Sequence, residues 1–376
     1  MMIPSKMHTY RHLFSTGWFL VGILLAHLLV PATVQALMSS SSSTTSSSSK
    51  TTVAQNLLAR VRRNDCAAHA AREARVFYVG DDDDHHQPMG SILPEFADIL
   101  SQFPSVFRVT PDSVTLLDDP EWDDLSHDTR VFARSRVVQE VLESLRDKNL
   151  VPALAGWRNE PFAVRQDFYA PPELIMERAA GVLFGAPAYG VFLNGYTCQN
   201  DDDDNNDGKP THVWIGRRSS TKATWPGRLD SLAAGGLAAG MLPRQAMVQE
   251  CQEEAGICQQ ELLDKIQTVS AVSYTGYNED MWGLKRDVLY CFDLKLPDDW
   301  VPIPVDGEMD SFEKMSVATI LDLLQTPICE DDDSDNEWKP NVGVVLIDFL
   351  LRHGAIDADD IAFLPLVESL RGAKCA

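Results

Sequence analysis

Apolar positions recur along this chain with two periods, one in each half. Val137, Val138, Val141, Leu142 and Leu145 fall at helical spacing behind Ser135, which predicts an amphipathic helix of about three turns with Ser135 as its N-cap. Residues 94–100 read as a second helix, and 107–109 and 114–117 as short strands. Past Tyr189 the pattern changes to longer β-like runs at 191–196, 212–217, 266–274 and 287–294. Helices are predicted at 317–324 and from Asn341 to a stop at Gly354. In the middle of this half lies a glycine-rich turn, 234–243, followed by a helix over 244–254. Pro243 suits its first turn and Gly256 the residue just past its end. The fold class this implies is α+β, with a smaller N-terminal α+β domain at 65–185 and a mixed α/β domain at 186–371.

The first 64 residues are of another kind. They carry Lys6, Arg11, Lys50, Arg60, Arg62 and Arg63 and no acid, so the acidic excess behind the net charge of −23 belongs to the rest. An apolar run of about 13 residues, 18–30, follows Lys6 and Arg11 and ends near the small residues Val34 and Ala36, as a signal peptide does. Residues 37–64 are Ser/Thr-rich and acid-free, which is transit-peptide composition. A signal peptide at 1–36 followed by a transit-like segment at 37–64 is the two-part address of a protein entering a plastid of secondary origin. The alternative is simple secretion behind a flexible Ser linker. No stable membrane association is expected after processing.

With 44% hydrophobic and 23% charged residues in 376, the chain is neither globally disordered, collagenous nor a polytopic membrane protein. The negative balance points away from nucleic acid as a partner, because phosphate neutralisation needs a basic footprint. Seven cysteines, odd in number and without a CxxC pair, argue against both a disulfide framework and a zinc site. Three acidic runs, at 81–84, 201–207 and 331–335, read as solvated loop insertions; none has the spacing of an EF-hand loop.

The candidate chemistry sits on the helix behind the glycine turn. Glu250, Glu253 and Glu254 stand at i, i+3 and i+4 and so share a face, where three like charges repel unless a cation lies among them. A hard, oxygen-loving Mg²⁺ suits such a face, and the glycine backbone ahead of it lets a polyphosphate approach. Taken alone, a Glu-rich helix face is more often merely solvated; its register behind the glycine turn and ahead of a Gly stop is what changes the odds.

This stretch resembles the Nudix box, whose pattern is Gly, five residues, Glu, seven residues, Arg-Glu, an apolar residue, any residue, Glu-Glu, any residue, Gly, an apolar residue. Gly235, Glu250, Cys251, Glu253, Glu254, Gly256 and Ile257 match; Met241 replaces the first Glu and Gln249 the Arg. The likeness continues outside the box, in Leu154 to Glu160, Met176 to Ala180, Leu183-Phe184-Gly185, Tyr189-Gly190-Val191, Trp214 to Ser219 and Val345 to Leu350. Together these resemble the Nudix subgroup with an extra N-terminal domain akin to the region fused to thiamine pyrophosphokinase in some fungi.

The resemblance implies a Nudix α/β/α sandwich with a mixed sheet and a pyrophosphohydrolase dependent on Mg²⁺ or Mn²⁺. Its small-molecule substrates would be thiamine diphosphate and, preferentially, the damaged oxo- and oxythiamine diphosphates. Glu250, Glu253 and Glu254 would hold the metal with the carbonyl of Gly235, and Glu250 is alternatively the base. Glu308 matches a glutamate near the metals in many Nudix proteins, though a solvated loop acid is an equal reading. Arg217, Arg218 and Lys222 would hold the terminal phosphate, or else only blunt a sheet edge. Trp157 and Arg158 are candidate substrate contacts from the N-terminal domain, and Tyr274 and Trp282 further candidates for stacking on a ring. Two other readings stand beside this one: hydrolysis of another nucleoside or isoprenoid diphosphate, and a diphosphate-binding protein that Gln249 has weakened as a catalyst.

Overall fold

The computed structural model describes residues 51–80, 87–198, 208–278, 280–326 and 338–373. Residues 1–50 and the three acidic runs lie outside the described residues, and so do Cys329 and Cys375. The described N-terminal region runs α1 (Val53–Asn64), α2 (Ala70–Glu73), β1 (Arg75–Val79), β2 (Gly90–Ile92), α3 (Pro94–Leu100), β3 (Phe107–Val109), β4 (Ser113–Leu116), α4 (His127–Asp147), β5 (Pro161–Val164) and β6 (Leu174–Glu177). The second region follows as β7 (Pro187–Cys198), β8 (Pro210–Arg218), β9 (Leu229–Asp230), β10 (Ala233–Gly236), α5 (Pro243–Ala255), α6 (Gln260–Leu263), β11 (Gln267–Tyr277), β12 (Leu284–Lys295), β13 (Met309–Ser316), α7 (Val317–Gln325), α8 (Pro340–Arg352) and α9 (Phe363–Ser369).

In the N-terminal region a four-stranded sheet, β2-β1-β4-β3, closes over α3 and α4 around a cluster of rings. Phe184 stands at its centre, 4.9 Å from Phe77 and 5.5 Å from Phe96. Val138, Val141, Leu142 and Leu145 line the buried side of α4 as their spacing requires. Ser135 does not cap this helix. Ser126 does, accepting from the Thr129 N–H, so the helix begins two turns earlier than the apolar repeat suggests. Ser135 instead donates to the Val131 carbonyl and accepts from the Ile175 N–H, pinning β6 to the helix.

The second region is an α/β/α sandwich. Its seven-stranded mixed sheet has the order β11-β12-β7-β8-β13, with β10 added on β7 and β9 on β8. The central pair, β12 and β7, is parallel, and both are buried on two faces, which is why they read as near-continuous apolar runs. Val191 and Leu193 turn one way along β7, onto Ala246, Met247, Cys251 and Ala255 of α5. Phe192 between them turns the other way, into the layer of α8, α7 and α9.

Helix α1 belongs to that second layer, which corrects the reading of 37–64 as a wholly transit-like segment outside the fold. Thr52 forms a reciprocal capping box with Gln55, and its hydroxyl donates to Asp360 at 2.7 Å. Ala54, Leu57, Leu58 and Val61 are buried among residues of α8, α9 and β11. Arg60 donates to the carbonyls of Leu324 and Thr326 at the end of α7. Composition misleads here because a basic, acid-free stretch remains free to form an amphipathic helix. Among the described residues Cys66, Cys198, Cys251, Cys258 and Cys291 are free thiols, and no helix is long and apolar enough to cross a membrane.

Candidate active site

Helix α5 opens with Pro243 at its first turn and ends at Gly256, whose φ of 67° lets its N–H return to the Cys251 carbonyl. The three glutamates on it are graded by depth. Glu253 is exposed, Glu250 half-buried and Glu254 only 2% exposed. Strand β10 runs beside them, and a Cβ on Gly235 would lie 1.9 Å from a carboxylate oxygen of Glu250. Only a residue without a side chain lets Glu250 rest against that backbone. Glu254 accepts from the Ala234 N–H at 2.8 Å.

Glu308, on the loop before β13, joins the same cluster. Its carboxylate pairs with the Lys222 ammonium at 2.7 Å and shares a hydrogen bond with Glu254. Burial works against ionisation of Glu308, but the Lys222 bond and charge outweigh it and hold its pKa below the ordinary value. Glu254 goes the other way: burial, then the charges of Asp230, Glu250 and Glu308, push its pKa well up despite the Ala234 N–H. Of the two carboxyl groups sharing that bond, Glu254 is thus the more readily protonated and Glu308 the more readily ionised. Burial and the charges of Glu253, Glu308 and Asp306 raise Glu250 to about 7, with Lys222 opposing.

Gln249, at the position of the box arginine, donates to Glu253 at 3.0 Å. It keeps the hydrogen bond that would orient this glutamate and supplies no charge.

The three predicted cations part company. Lys222 is in the cluster. Arg217 is half-buried and donates to the Gly227 carbonyl. Arg218, predicted as a phosphate contact, is 5% exposed and spent on protein partners: Asp230 at 2.8 Å and the carbonyls of Thr224 and Trp225. Lys339 pairs with the same Asp230 at 2.9 Å. A lysine and an arginine on one buried carboxylate make a support for the floor of the site.

The aromatic candidates lie elsewhere. Tyr274 is buried on the sheet face away from α5, its hydroxyl donating to Asp287. Trp282 packs on the N-terminal core. Trp157 lies under the Arg146 guanidinium, 4.4 Å from the ring centroid, and its indole N–H donates to Asn159. Arg158 is exposed, and its backbone N–H donates to the buried carboxylate of Glu177, which also accepts from Asn159 and Ala179.

Arg178 was missed as a site residue. From the N-terminal region it pairs with Glu160 at 2.7 Å and donates to the Leu237 carbonyl at 3.2 Å. Its guanidinium would lie 3.0 Å from a Cβ on Gly236. The N-terminal region thus reaches the glycine turn directly, which no periodicity could announce. Asp230 was missed for a similar reason, since an acid beside a turn looks solvated in a sequence.

The donor set is all oxygen, and burial among like charges raises the pKa of both Glu250 and Glu254, a cost that a bound cation would relieve. Among the described residues no group of three or more His, Cys, Asp or Glu side chains is arranged to hold a metal ion.

A profile of the NUDIX domain matches residues 203–333, and one described as a domain of unknown function (DUF4743) matches 56–188. The chain is 37% identical over 302 residues to Nudix hydrolase 20, chloroplastic, of Arabidopsis thaliana, covering 77% of this chain and 72% of that one. To Nudix hydrolase 24, chloroplastic, of the same plant, it is 37% identical over 295 residues, with the same coverage of 77% and 72%. Among solved structures, that of a C. elegans Ap4A hydrolase binary complex aligns at 13% identity with a TM-score of 0.30, covering 45% of this chain and 99% of that one. Hydrolases of this type act on diphosphate bonds of small molecules and generally use a divalent metal. The chain belongs to the Nudix hydrolase family.

Proposed function

We propose that the chain is a Mg²⁺-dependent pyrophosphohydrolase of thiamine diphosphate and its oxo and oxy analogues, releasing the monophosphate and orthophosphate. The observation that carries the chemistry is the cluster of Glu250, Glu254 and Glu308 against Gly235. The substrate class rests on the resemblance of the N-terminal region and box to the thiamine-linked subgroup. Arg178, which joins that region to the glycine turn, fits a substrate whose organic half lies against it.

In this reading Glu250, Glu253 and Glu254 hold the metal, with the Gly235 carbonyl beside them. Mg²⁺ or Mn²⁺, when bound, neutralises the diphosphate and acidifies a water. Glu308, kept ionised by Lys222, takes a proton from the water that attacks phosphorus as the P–O–P bond breaks. Lys222, released as Glu308 is protonated, is then free to pair with the departing phosphate. Gln249 keeps Glu253 oriented without adding charge. Arg218 acts by fixing Asp230 and the 224–230 turn. The basic leader and the chloroplastic relatives support a plastid location, which a fluorescent fusion of residues 1–52 tests.

The test is to incubate the full chain and Glu254→Gln with oxythiamine diphosphate, thiamine diphosphate, ADP-ribose and geranyl diphosphate, with and without Mg²⁺. Metal-dependent release of the thiamine-type monophosphate, fastest on the oxidised analogue and lost in the variant, is expected. Turnover of ADP-ribose or geranyl diphosphate alone would discard the substrate class. No turnover of any, regained in Gln249→Arg, would mean a diphosphate binder.

A further inference from the structure

The sheet face that α5 covers continues past α5 toward the start of β7 and β12. Side chains alternate along a strand, so Arg286, Val288, Tyr290 and Phe292 share this face on β12, as Tyr189, Val191 and Leu193 do on β7. In the parallel register Arg286 stands opposite Pro187, and Val288 opposite Tyr189. Phe168, from the loop between β5 and β6, closes this end, with its ring 4.9 Å from Tyr189 and 5.6 Å from Tyr290. The glycine turn lies alongside, because the Leu237 N–H donates to the Tyr189 carbonyl at 2.8 Å while Arg178 holds the Leu237 carbonyl.

Arg286 is half-buried in this corner with a single hydrogen bond, from Nη1 to the Gly185 carbonyl at 3.3 Å. Among the described residues no carboxylate stands within ion-pair distance of it. Burial pulls its pKa down, with only Tyr189 opposing. Arg134, Arg218 and Arg352 are treated differently: each is matched to carboxylates at 2.6 to 2.8 Å. In a chain of net charge −23, an acid to neutralise Arg286 would be easy to supply. A half-buried guanidinium with no carboxylate among the described residues, and one long bond to a carbonyl, keeps donors that a ligand oxygen can take. Guanidinium only donates, so its partner must be an acceptor.

The position fits a ligand that begins at the carboxylate cluster. Gly235, Val191 and Tyr290 lie in one row across three strands, and Arg286 is four residues along β12. Two strand spacings and four residues of rise put the Cα atoms of Gly235 and Arg286 roughly 16 Å apart, with Glu250 beside the one and the Arg286 side chain on the same sheet face. That is the span of a diphosphate followed by rings, once side chains reach inward from each end.

We propose that Arg286, with the Tyr189 and Phe168 rings beside it, binds the organic half of the diphosphate substrate and selects rings that present a carbonyl or acidic oxygen over rings that present an amino group or a cation. This rests on the proposed function only in that the diphosphate sits at the α5 carboxylates. The half-buried Tyr189 ring, backed by Phe168, gives an apolar flank indifferent to ring identity, and the guanidinium reads the substituent.

The test is calorimetric titration of the full chain with two matched pairs, in the presence of Mg²⁺. One pair is oxythiamine and thiamine diphosphate, the other inosine and adenosine diphosphate; in each, a ring carbonyl replaces an amino group. Wild type, R286M and R286K are compared, and kcat and KM are measured for any compound turned over. Wild type is expected to bind the carbonyl member about tenfold tighter. R286M should weaken that member alone, until the two bind alike, and R286K should fall between. A carbonyl preference in the nucleoside pair only, lost in R286M, keeps the inference and discards thiamine as substrate. Turnover of the thiamine pair with an unchanged ratio in R286M keeps the substrate and overturns the inference. Equal binding in wild type, equal losses for both members, or no binding of any of the four also overturns it. Should R286M fail to fold, the ratios of wild type and R286K decide.

Discussion

The Glu250 carboxylate occupies the space that a side chain on residue 235 would need, 1.9 Å from an ideal Cβ there. Strand β10 and helix α5 are therefore matched through one missing methyl group. Gly235→Ala must turn Glu250 away from the cluster. We expect kcat/KM to fall about 100-fold, the scale of an ångström-sized misplacement, with far-UV circular dichroism unchanged. Full activity in the variant would show that the contact positions nothing.

Gln249 holds Glu253 by a neutral bond, and a charged donor there is roughly twice as strong. Gln249→Arg is expected to raise kcat about threefold or more and to tighten the Mg²⁺ dependence of activity. Steady-state kinetics across a Mg²⁺ titration checks this; an unchanged or lower kcat would mean that the glutamine suits this site better than the family's arginine.

Glu250 is raised from the ordinary carboxylate range to about 7. A carboxylate with a raised folded-state pKa binds its proton more tightly in the folded chain. Stability of the metal-free protein is thus highest below the unfolded pKa and falls as pH rises toward 7. The loss is on the order of 1–2 kcal/mol once solvent screening of this half-buried group is allowed for. Thermal melts in EDTA should lose several degrees between pH 5 and pH 8, and Mg²⁺ should restore more at pH 8 than at pH 5. Glu250→Gln should flatten the EDTA profile, and a slope unchanged by that substitution would assign it to other groups.

Arg218 and Lys222 are four residues apart and predict opposite phenotypes. Arg218→Met leaves Asp230 buried with only Lys339, at a cost of about 3 kcal/mol, so the melting temperature drops while KM moves little if the protein is folded. Lys222→Ala unpairs Glu308 and should lower kcat and raise the acidic limb of its pH profile with little change in stability. A KM effect confined to Arg218→Met would restore it as a phosphate contact.

Helix α1 buries Leu57, Leu58 and Val61, worth roughly 5–8 kcal/mol together, as much as many domains have in total. A chain beginning at residue 51 should therefore express and melt cooperatively, and one beginning at residue 66 should aggregate or melt far lower. Equal melting temperatures would make α1 dispensable. Any transit-peptide cleavage compatible with this fold lies before Thr52, whose hydroxyl and capping box are part of it.

Much of this was written in local pattern. Pro243, the Glu spacing and Gly256 define α5 from the sequence because caps and periodicity are short-range, and the apolar runs at 191–196 and 287–294 announce strands for the same reason, though not that the two pair at the centre of the sheet. The carboxylate set was legible because its members are four residues apart or lie on a motif. What tertiary structure decided was the fate of each isolated charge. Arg218, Arg217 and Lys222 look alike along a strand and loop, yet packing sends one into a buried clamp, one onto a turn and one to Glu308. Arg178 and Arg286 gained their places from contacts 59 and 101 residues away in sequence. Helix α1 shows the same limit: its composition resembles that of a leader, and only the apolar groove between α8 and α9 makes it part of the fold. Local propensity specifies elements, whereas the partner of a charge, and so its function, is set by burial that no local stretch contains.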